Sequence, residues 1–249
     1  MRVLTVRGLR IGEGRPKIIA PIVARTREQA IAQAVRLTGL PVEVAEWRAD
    51  YLPGNETAIL DTLYALRNTL SIPLLFTYRT KNEGGEGDFS PQEYAALCRF
   101  AAHSGNADFI DVELRLGDKE ISSLVSDIHA AGSLAVISSH DFHHTPKKEQ
   151  LLKTLIHMSG LGADMPKVAC MPNSPQDVLE LLTASEEFSR ITDRPFLAIS
   201  MGAMGAVSRI AGESFGSCLT FGAAEESSAP GQIPVNELRH ILEALHGGR

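Results

Sequence analysis

The stretch ADMPKVACMPNSPQDVLELLTASEEF, residues 163–188, contains the pattern that decides the fold. A short apolar run, Met165–Cys170, is followed by a proline-containing turn and then by an amphipathic segment over 174–188. Apolar runs of this length, bounded by turn residues, are typical of buried strands. Ser174 and Pro175 predict a helix start, because serine caps free backbone N–H groups and proline fits the first turn. The stretch therefore predicts one strand followed by one helix.

The same strand-and-helix unit recurs along the whole chain. The predicted strands are Lys17–Val23, Val42–Trp47, Leu74–Tyr78, Phe109–Val112, Ser133–Ser138, Met165–Cys170, Phe196–Ser200 and Ser217–Phe221. The predicted helices are Thr26–Thr38, Glu56–Leu70, Pro91–His103, Lys119–Ala131, Lys147–Ser159, Ser174–Phe188, a short one near Val207–Gly212, and Val235–Leu245. Eight strands, each followed by a helix, predict an α/β fold of the (β/α)8 TIM barrel type. An open doubly wound sheet is the alternative, but no Gly-rich dinucleotide motif follows the first strand.

The N-terminal segment lies outside this repeat. Residues 1–14 alternate in polarity at their start and are expected to form a β-hairpin that covers the bottom of the barrel. Charges occur where a signal peptide needs an apolar stretch, so no secretory signal is expected. With no linker or low-complexity tract, residues 1–249 are predicted to form a single domain.

Composition excludes several classes of function. The 249 residues carry a net charge of −6, from 24 basic and 30 acidic side chains, without a basic block, so a nucleic-acid partner is not expected. No apolar run is long enough to span a membrane. Cys98, Cys170 and Cys218 are too far apart for a disulfide framework or a cysteine zinc site, which favours a reducing cytoplasm.

Lys167 stands inside a predicted buried strand, where a charged side chain is costly. One way to avoid this cost is a lowered pKa, which leaves a neutral amine. A buried neutral amine is a nucleophile that attacks a ketone or aldehyde to form a Schiff base. The alternatives are that Lys167 extends from the strand end toward solvent or pairs with a carboxylate.

Polar residues cluster where the predicted strands end, which is where barrel enzymes place their reactive groups. The set comprises Glu46, Arg48, Arg79, Glu83, His140, His143, His144, Arg209, Ser228 and Gln232, and the apolar Met201 follows the end of the seventh predicted strand. A histidine here suits general acid/base catalysis. A metal site is disfavoured, because the histidine spacing does not fit a regular helix face and no cysteine lies nearby in the sequence. Arg209 follows two glycines and suits a carboxylate, with phosphate as the alternative.

Several segments together resemble the type I 3-dehydroquinate dehydratases, the Schiff-base-forming enzymes of the shikimate pathway. The segments are Glu46-Trp47-Arg48-Ala49-Asp50, Phe76-Thr77-Tyr78-Arg79, Glu83-Gly84-Gly85-Glu86, Ser139-His140-Asp141-Phe142-His143-His144-Thr145-Pro146, Gly162-Ala163-Asp164-Met165-Pro166-Lys167-Val168-Ala169, Met201-Gly202 through Ser208-Arg209, and Ser228-Ala229-Pro230-Gly231-Gln232. They occur in the family's order and span nearly the whole chain. One departure is Ala20-Pro21, where some members have serine, and this puts a substrate contact from the first strand in doubt.

The resemblance implies a cytoplasmic, homodimeric (β/α)8 barrel that dehydrates 3-dehydroquinate to 3-dehydroshikimate without a metal or an organic cofactor. It implies that Lys167 forms the imine, that His143 is the general acid/base, and that Glu83 orients His143. It further implies that Arg209 binds the substrate carboxylate. The remaining substrate contacts that it implies are Glu46, Arg48, Arg79, Met201, Ser228 and Gln232. Two alternatives remain: an aldolase-type Schiff-base barrel, and a non-catalytic barrel that binds a carboxylated metabolite.

Overall fold

A computed structural model describes residues 3–224 and 229–247. The strands are β1 (Leu4–Val6), β2 (Leu9–Ile11), β3 (Lys17–Ile22), β4 (Val44–Arg48), β5 (Leu74–Thr77), β6 (Phe109–Glu113), β7 (Leu134–Asp141), β8 (Met165–Cys170), β9 (Leu197–Ser200), β10 (Leu219–Ala223) and β11 (Ile233–Pro234). The helices are α1 (Arg27–Leu37), α2 (Glu56–Thr69), α3 (Pro91–His103), α4 (Asp118–Ala130), α5 (Lys148–Gly160), α6 (Pro175–Ile191), α7 (Ala206–Ile210), α8 (Gly212–Phe215) and α9 (Val235–Gly247).

The central sheet consists of parallel strands in chain order. Its hydrogen-bonded order is β11-β10-β3-β4-β5-β6-β7-β8-β9, so the last strand of the repeat pairs with the first. The seam between β9 and β10 is bridged just before both strands begin, where the Cys218 N–H donates to the Phe196 carbonyl at 2.9 Å. The Cys218 carbonyl in turn accepts from the Lys17 N–H at 2.9 Å, at the start of β3. The predicted (β/α)8 barrel is confirmed.

The N-terminal hairpin closes the bottom of this barrel, as expected. Strands β1 and β2 pair antiparallel, with Leu4 opposite Ile11. Both side chains are buried in the apolar cluster inside the barrel, together with Phe109 at the start of β6. Arg7, in the hairpin turn, pairs with Asp108, which immediately precedes β6. These contacts lie at the amino ends of the strands, opposite the end where a barrel site forms.

The alternation of side chains along each strand positions the site. In β8, Met165 and Ala169 belong to the interior cluster, whereas Val168 and Cys170 pack between the sheet and the helices. Because successive strand residues point to opposite faces, Lys167 faces the interior with Met165 and Ala169. The same alternation applies to the neighbouring strands, and it collects their inward polar residues around one axis.

Two differences from the predicted elements affect segments that reach the site. Strand β7 continues to Asp141, beyond the predicted end at Ser138, because β8 extends its pairing to Asp141↔Cys170. The short helix predicted near 207–212 is two helices, α7 and α8. Every helix in the described parts of the chain is too short or too polar to cross a membrane.

Candidate active site

A cavity of about 490 Å³ opens at the carboxyl ends of the barrel strands. Its lining contains both charged and apolar side chains. The lining residues are Glu46, Arg48, Thr77, Arg79, Glu83, Gly84, His140, Phe142, Lys167, Ala169, Ile199, Met201, Arg209, Phe221, Ala229 and Gln232. The sequence analysis predicted seven substrate-binding side chains, and six of them line the cavity: Glu46, Arg48, Arg79, Met201, Arg209 and Gln232. Ser228 lies outside the described residues.

Lys167 lies in the wall of this cavity and is 4% exposed. Its Nζ is 3.2 Å from Asp111 Oδ2 and 3.6 Å from Glu46 Oε1. The Phe221 ring centroid lies 5.1 Å from the same nitrogen. Of the alternatives that the sequence left open, the structure therefore shows pairing with carboxylates. The predicted burial of the amine is confirmed.

Arg79 is held by two buried acids of strand β6. Its Nη1 donates to Glu113 Oε1 at 3.0 Å, and its Nη2 lies 2.8 Å from Asp111 Oδ1. Burial by itself opposes the charge of Arg79, but Asp111 and Glu113 outweigh it and raise the pKa of the guanidinium above its ordinary value. Arg79 is thus permanently charged and fixed in position.

His140 and Glu83 form the imidazole–carboxylate pair of the site. Glu83 Oε2 lies 2.9 Å from His140 Nδ1 and accepts the His140 backbone N–H at 3.2 Å. Arg79 Nη1 reaches the same oxygen at 3.4 Å. Glu83 Oε2 already accepts from the His140 backbone N–H and faces the Arg79 guanidinium, so it acts as an acceptor toward Nδ1 as well. We therefore assign the ring proton to Nδ1, which leaves Nε2 as the basic nitrogen.

Gly84 allows close packing beside the His140–Glu83 pair. Gly84, which follows Glu83, has φ +79°. A Cβ atom on Gly84 would lie 2.3 Å from Cε2 of the Phe142 ring. A side chain there would therefore displace Phe142, two residues after His140, and glycine is required both by its backbone conformation and by this contact.

Burial shifts the titration of both partners toward their neutral forms. Burial is the largest cause of a lowered pKa for His140, and the charges of Arg79 and Lys167 lower it further, well below the ordinary value. Burial raises the pKa of Glu83 to about 8, against the opposing effect of Arg79. At neutral pH the imidazole is therefore uncharged, which is the form that accepts a proton.

The geometry does not support His143 as the general acid/base. His143 is exposed, whereas His140 lines the cavity. The His143 N–H donates to Asp141 Oδ1 at 2.9 Å, and its carbonyl accepts from Asn173 Nδ2 at 2.8 Å, so it belongs to the turn after β7. His140 lies two residues after Ser138 in β7, and alternate residues of a strand share a face, so both point inward. This alternation distinguishes His140 from His143. Glu83 accordingly contacts His140.

Arg48 and Glu46 reach the cavity from the inward face of β4. Arg48 makes a bidentate ion pair with Asp50, with Nε–Oδ1 and Nη2–Oδ2 distances of 2.8 and 2.7 Å. Asp50 also accepts the Arg79 backbone N–H at 3.1 Å. Glu46 Oε1 accepts from Thr77 Oγ1 at 3.0 Å. Asp50 is therefore a positioning residue that the sequence analysis missed.

Arg209 differs from the other arginines of the cavity because it lacks a carboxylate partner among the described residues. It is 1% exposed, and its Nη2 donates to the Pro230 carbonyl at 2.9 Å. Its buried Nε and Nη1 meet no hydrogen-bond acceptor within residues 3–224 and 229–247. Burial lowers the pKa of Arg209 to about 10, so it remains charged at neutral pH. Buried, unsatisfied donors on a cation are costly unless an anionic ligand meets them.

The histidines do not come together as a metal site. His144 Nδ1 lies 3.0 Å from Asp141 Oδ2 in the exposed turn, away from His140. In the described part of the chain, no cluster of three or more histidine, cysteine, aspartate or glutamate side chains has a metal-binding arrangement.

Comparison with known proteins identifies close relatives. A sequence model of the family described as "Type I 3-dehydroquinase" matches residues 18–249. A protein of Clostridioides difficile named 3-dehydroquinate dehydratase is 44% identical over 249 residues, which cover 98% of each chain. A protein of the same name from Salmonella agona is 43% identical over 250 residues and 99% of each chain.

Solved structures give the same result. The crystal structure of the Clostridium difficile type I 3-dehydroquinate dehydratase with covalent modified comenic acid has a TM-score of 0.96 and 44% identity, and covers 100% of this chain and 99% of that one. The 3-dehydroquinate dehydratase of Geobacillus kaustophilus has a TM-score of 0.96 at 37% identity, with 99% and 97% of the two chains covered.

Proposed function

Because the chain belongs to the type I 3-dehydroquinase family, we propose that it dehydrates 3-dehydroquinate to 3-dehydroshikimate through an imine on Lys167. The observation that carries the proposal is the convergence of three groups on one cavity: a buried lysine, a neutral imidazole, and an arginine with two donors that meet no acceptor among the described residues. These three groups match a substrate that bears a ketone, a removable C–H and a carboxylate.

The first step joins the lysine to the ketone. The lysine ammonium passes two protons to the carbonyl oxygen as its nitrogen bonds to the carbonyl carbon. The oxygen leaves as water and a protonated C=N bond forms. The nitrogen of the resulting iminium ion keeps one proton and its positive charge. An iminium withdraws electrons more strongly than a ketone, so the C–H bond beside it becomes more acidic.

The second step is the elimination of water. His140 Nε2 removes the proton beside the iminium, and the electron pair of that C–H bond forms an enamine with a neutral nitrogen. The enamine then returns its electrons, the iminium re-forms, and the hydroxyl group on the next carbon leaves with the proton that His140 took up. Hydrolysis of the iminium releases the product and regenerates Lys167. A general acid/base of this kind typically contributes on the order of 10²–10⁴ in rate.

Substrate binding is assigned to the remaining polar lining. The Nε and Nη1 donors of Arg209, which meet no acceptor among the described residues, are suited to a bidentate contact with the substrate carboxylate. We assign the substrate hydroxyls to Glu46, Arg48, Arg79 and Gln232, and the packing against the ring to Met201. Pro21, level with Glu46 in β3, has neither a hydroxyl nor an N–H to offer.

The pH dependence follows from the environment of His140. Activity requires the neutral imidazole, and its pKa is lowered, so activity should be lost as pH falls through a value below the ordinary 6.5. We expect the acid limb of kcat/KM to have an apparent pKa below about 6.5, which reports the His140–Glu83 pair as a unit. A pH–rate profile recorded in buffers of constant ionic strength measures this apparent pKa. An acid limb centred at or above that value would contradict the proposed environment.

The direct test of the function is an absorbance assay. The product is a conjugated enone, which absorbs in the ultraviolet where the substrate does not. Purified protein mixed with 3-dehydroquinate should show the rise in absorbance, and a phosphorylated sugar should not compete. No absorbance change with a folded protein would overturn the proposed activity, and competition by the sugar phosphate would favour an aldolase-type enzyme.

The family resemblance also implies a homodimer in the cytoplasm, and both remain predictions. Sedimentation velocity of the purified protein tests the first.

A further inference from the structure

Asp111 is a buried charge for which the dehydration steps above assign no role. It is 1% exposed and faces the interior of the barrel from β6. In the register of the sheet it is level with Val136 and Met165, two residues before Ser138 and Lys167. Asp111 therefore lies one layer deeper than the reactive amine, away from the position of the substrate.

The contacts of Asp111 fix both of its oxygens. Oδ2 lies 3.2 Å from Lys167 Nζ. Oδ1 accepts from Ser138 Oγ at 2.6 Å and lies 2.8 Å from Arg79 Nη2. One carboxylate thus joins the lysine to the permanently charged arginine, and it cannot turn away from Nζ without losing both contacts of Oδ1.

Asp111 keeps its negative charge in this position. Burial alone would raise its pKa, but the charges of Arg79 and Lys167 lower the pKa below its ordinary value. A carboxylate that remains ionised is a poor proton acceptor and an effective counter-ion.

On the basis of the proposed function, we propose that Asp111 is the counter-ion that keeps the imine nitrogen of Lys167 protonated. The step balances without another reactant: the lysine ammonium and the ketone give a protonated imine and one water, and the nitrogen carries one positive charge before and after. A neutral imine would be a weak electron sink, so removal of the neighbouring proton by His140 requires the protonated form.

The other charges around Lys167 are less suited to this role. Glu46 Oε1 is farther from Nζ, at 3.6 Å, and already accepts from Thr77. Arg48 is neutralised by Asp50, and Glu83 is paired with His140. Arg79 and the lysine have the same charge, so Arg79 acts on the nitrogen through Asp111, which it holds in place.

The test compares Asp111→Asn with Glu113→Gln. Glu113 is a matched control because it also lies in β6 and also contacts Arg79, at 3.0 Å, but its other donors are the N–H and hydroxyl of Thr80. Each substitution is placed in a His140→Ala background, in which the imine forms with 3-dehydroquinate and elimination is slow. Protein labelled with ¹⁵N-lysine then reports the protonation of the imine nitrogen through its chemical shift.

We expect Asp111→Asn to lower the pH at which the imine nitrogen loses its proton by about 1–3 units, the usual effect of removing an opposite charge at this distance. Glu113→Gln should leave the pH at which the imine nitrogen loses its proton unchanged. An unchanged titration in Asp111→Asn, or an equal shift in both variants, would overturn the counter-ion role.

The His140→Ala protein alone gives a second test that does not depend on the folding of an Asp111 variant. Its imine nitrogen should lose its proton at a higher pH than the imine formed by n-butylamine and 3-dehydroquinate in water. An equal or lower value would refute the inference while leaving the proposed function intact. If His140→Ala forms no imine and borohydride traps none in the wild type, the proposed function itself fails.

Discussion

Replacing Lys167 by alanine is expected to abolish turnover. The amine supplies the covalent bond, and no other lysine lines the cavity among the described residues. Loss of a covalent nucleophile commonly costs on the order of 10⁴–10⁶ in kcat, and we expect a decrease in this range. Asp111 keeps its ion pair with Arg79 in the variant, so the barrel should still fold. The enone absorbance assay measures kcat, and circular dichroism verifies the fold.

The control for this variant is Lys153→Ala, which removes an exposed lysine on α5. Its kcat should equal that of the wild type. Binding of 3-dehydroquinate to Lys167→Ala, measured by calorimetry, should persist, because Arg209 and the polar lining remain. Near-normal turnover in a folded Lys167→Ala protein would refute the covalent mechanism.

The second large effect is expected at His140. His140→Ala removes the basic nitrogen used in both proton transfers, and we expect kcat to fall on the order of 10²–10⁴. The imine should still form, because Lys167 and its carboxylate contacts do not involve the imidazole. Single-turnover trapping with borohydride, run beside the absorbance assay, separates imine formation from elimination.

His143→Ala is the matched control, since it removes an imidazole three residues away in the same segment. His143 is exposed, and the contacts of its backbone do not depend on its side chain. Its kcat should stay close to that of the wild type. The opposite outcome, in which His143→Ala loses activity and His140→Ala keeps it, would show that the turn after β7 rearranges to bring His143 into the site.

The barrel could be predicted because its signals are local and repeated. Each strand is a short apolar run and each helix has a start signal, such as the capping boxes at Ser90 and Ser174, which the structure contains. Local patterns of this kind do not depend on distant contacts. The end of β7 did depend on them, because its last residues are strand only through pairing with β8.

The role of His143 was implied by the family resemblance, and the predicted end of the strand at Ser138 gave no reason to prefer His140. With β7 ending at Ser138, the three histidines seemed to share one loop, and strand alternation could not distinguish them. Once β7 extends to Asp141, His140 falls on the same face as Ser138, which is level with Lys167. To find inward-facing site residues from a sequence, the alternation of a strand therefore has to be followed past its apolar residues into the polar ones.

Asp111 was missed for a different reason. The sequence analysis looked for reactive groups at strand ends and in loops, whereas Asp111 lies inside the apolar run of β6. The reasoning applied to Lys167 fits it equally, since a charge inside a buried strand needs a partner. Two opposite charges in buried strands of one barrel are an available signal for their pairing, although their distance of 3.2 Å requires the register of three strands.

The most direct measurement of the central claim is the site of covalent trapping. The protein is incubated with 3-dehydroquinate, reduced with sodium borohydride, digested and analysed by peptide mass spectrometry. The reduced substrate should be attached to Lys167, with complete loss of activity, and the label should be absent from Lys167→Ala. Label on another lysine, or none at all while the wild-type protein turns over substrate, would contradict the account.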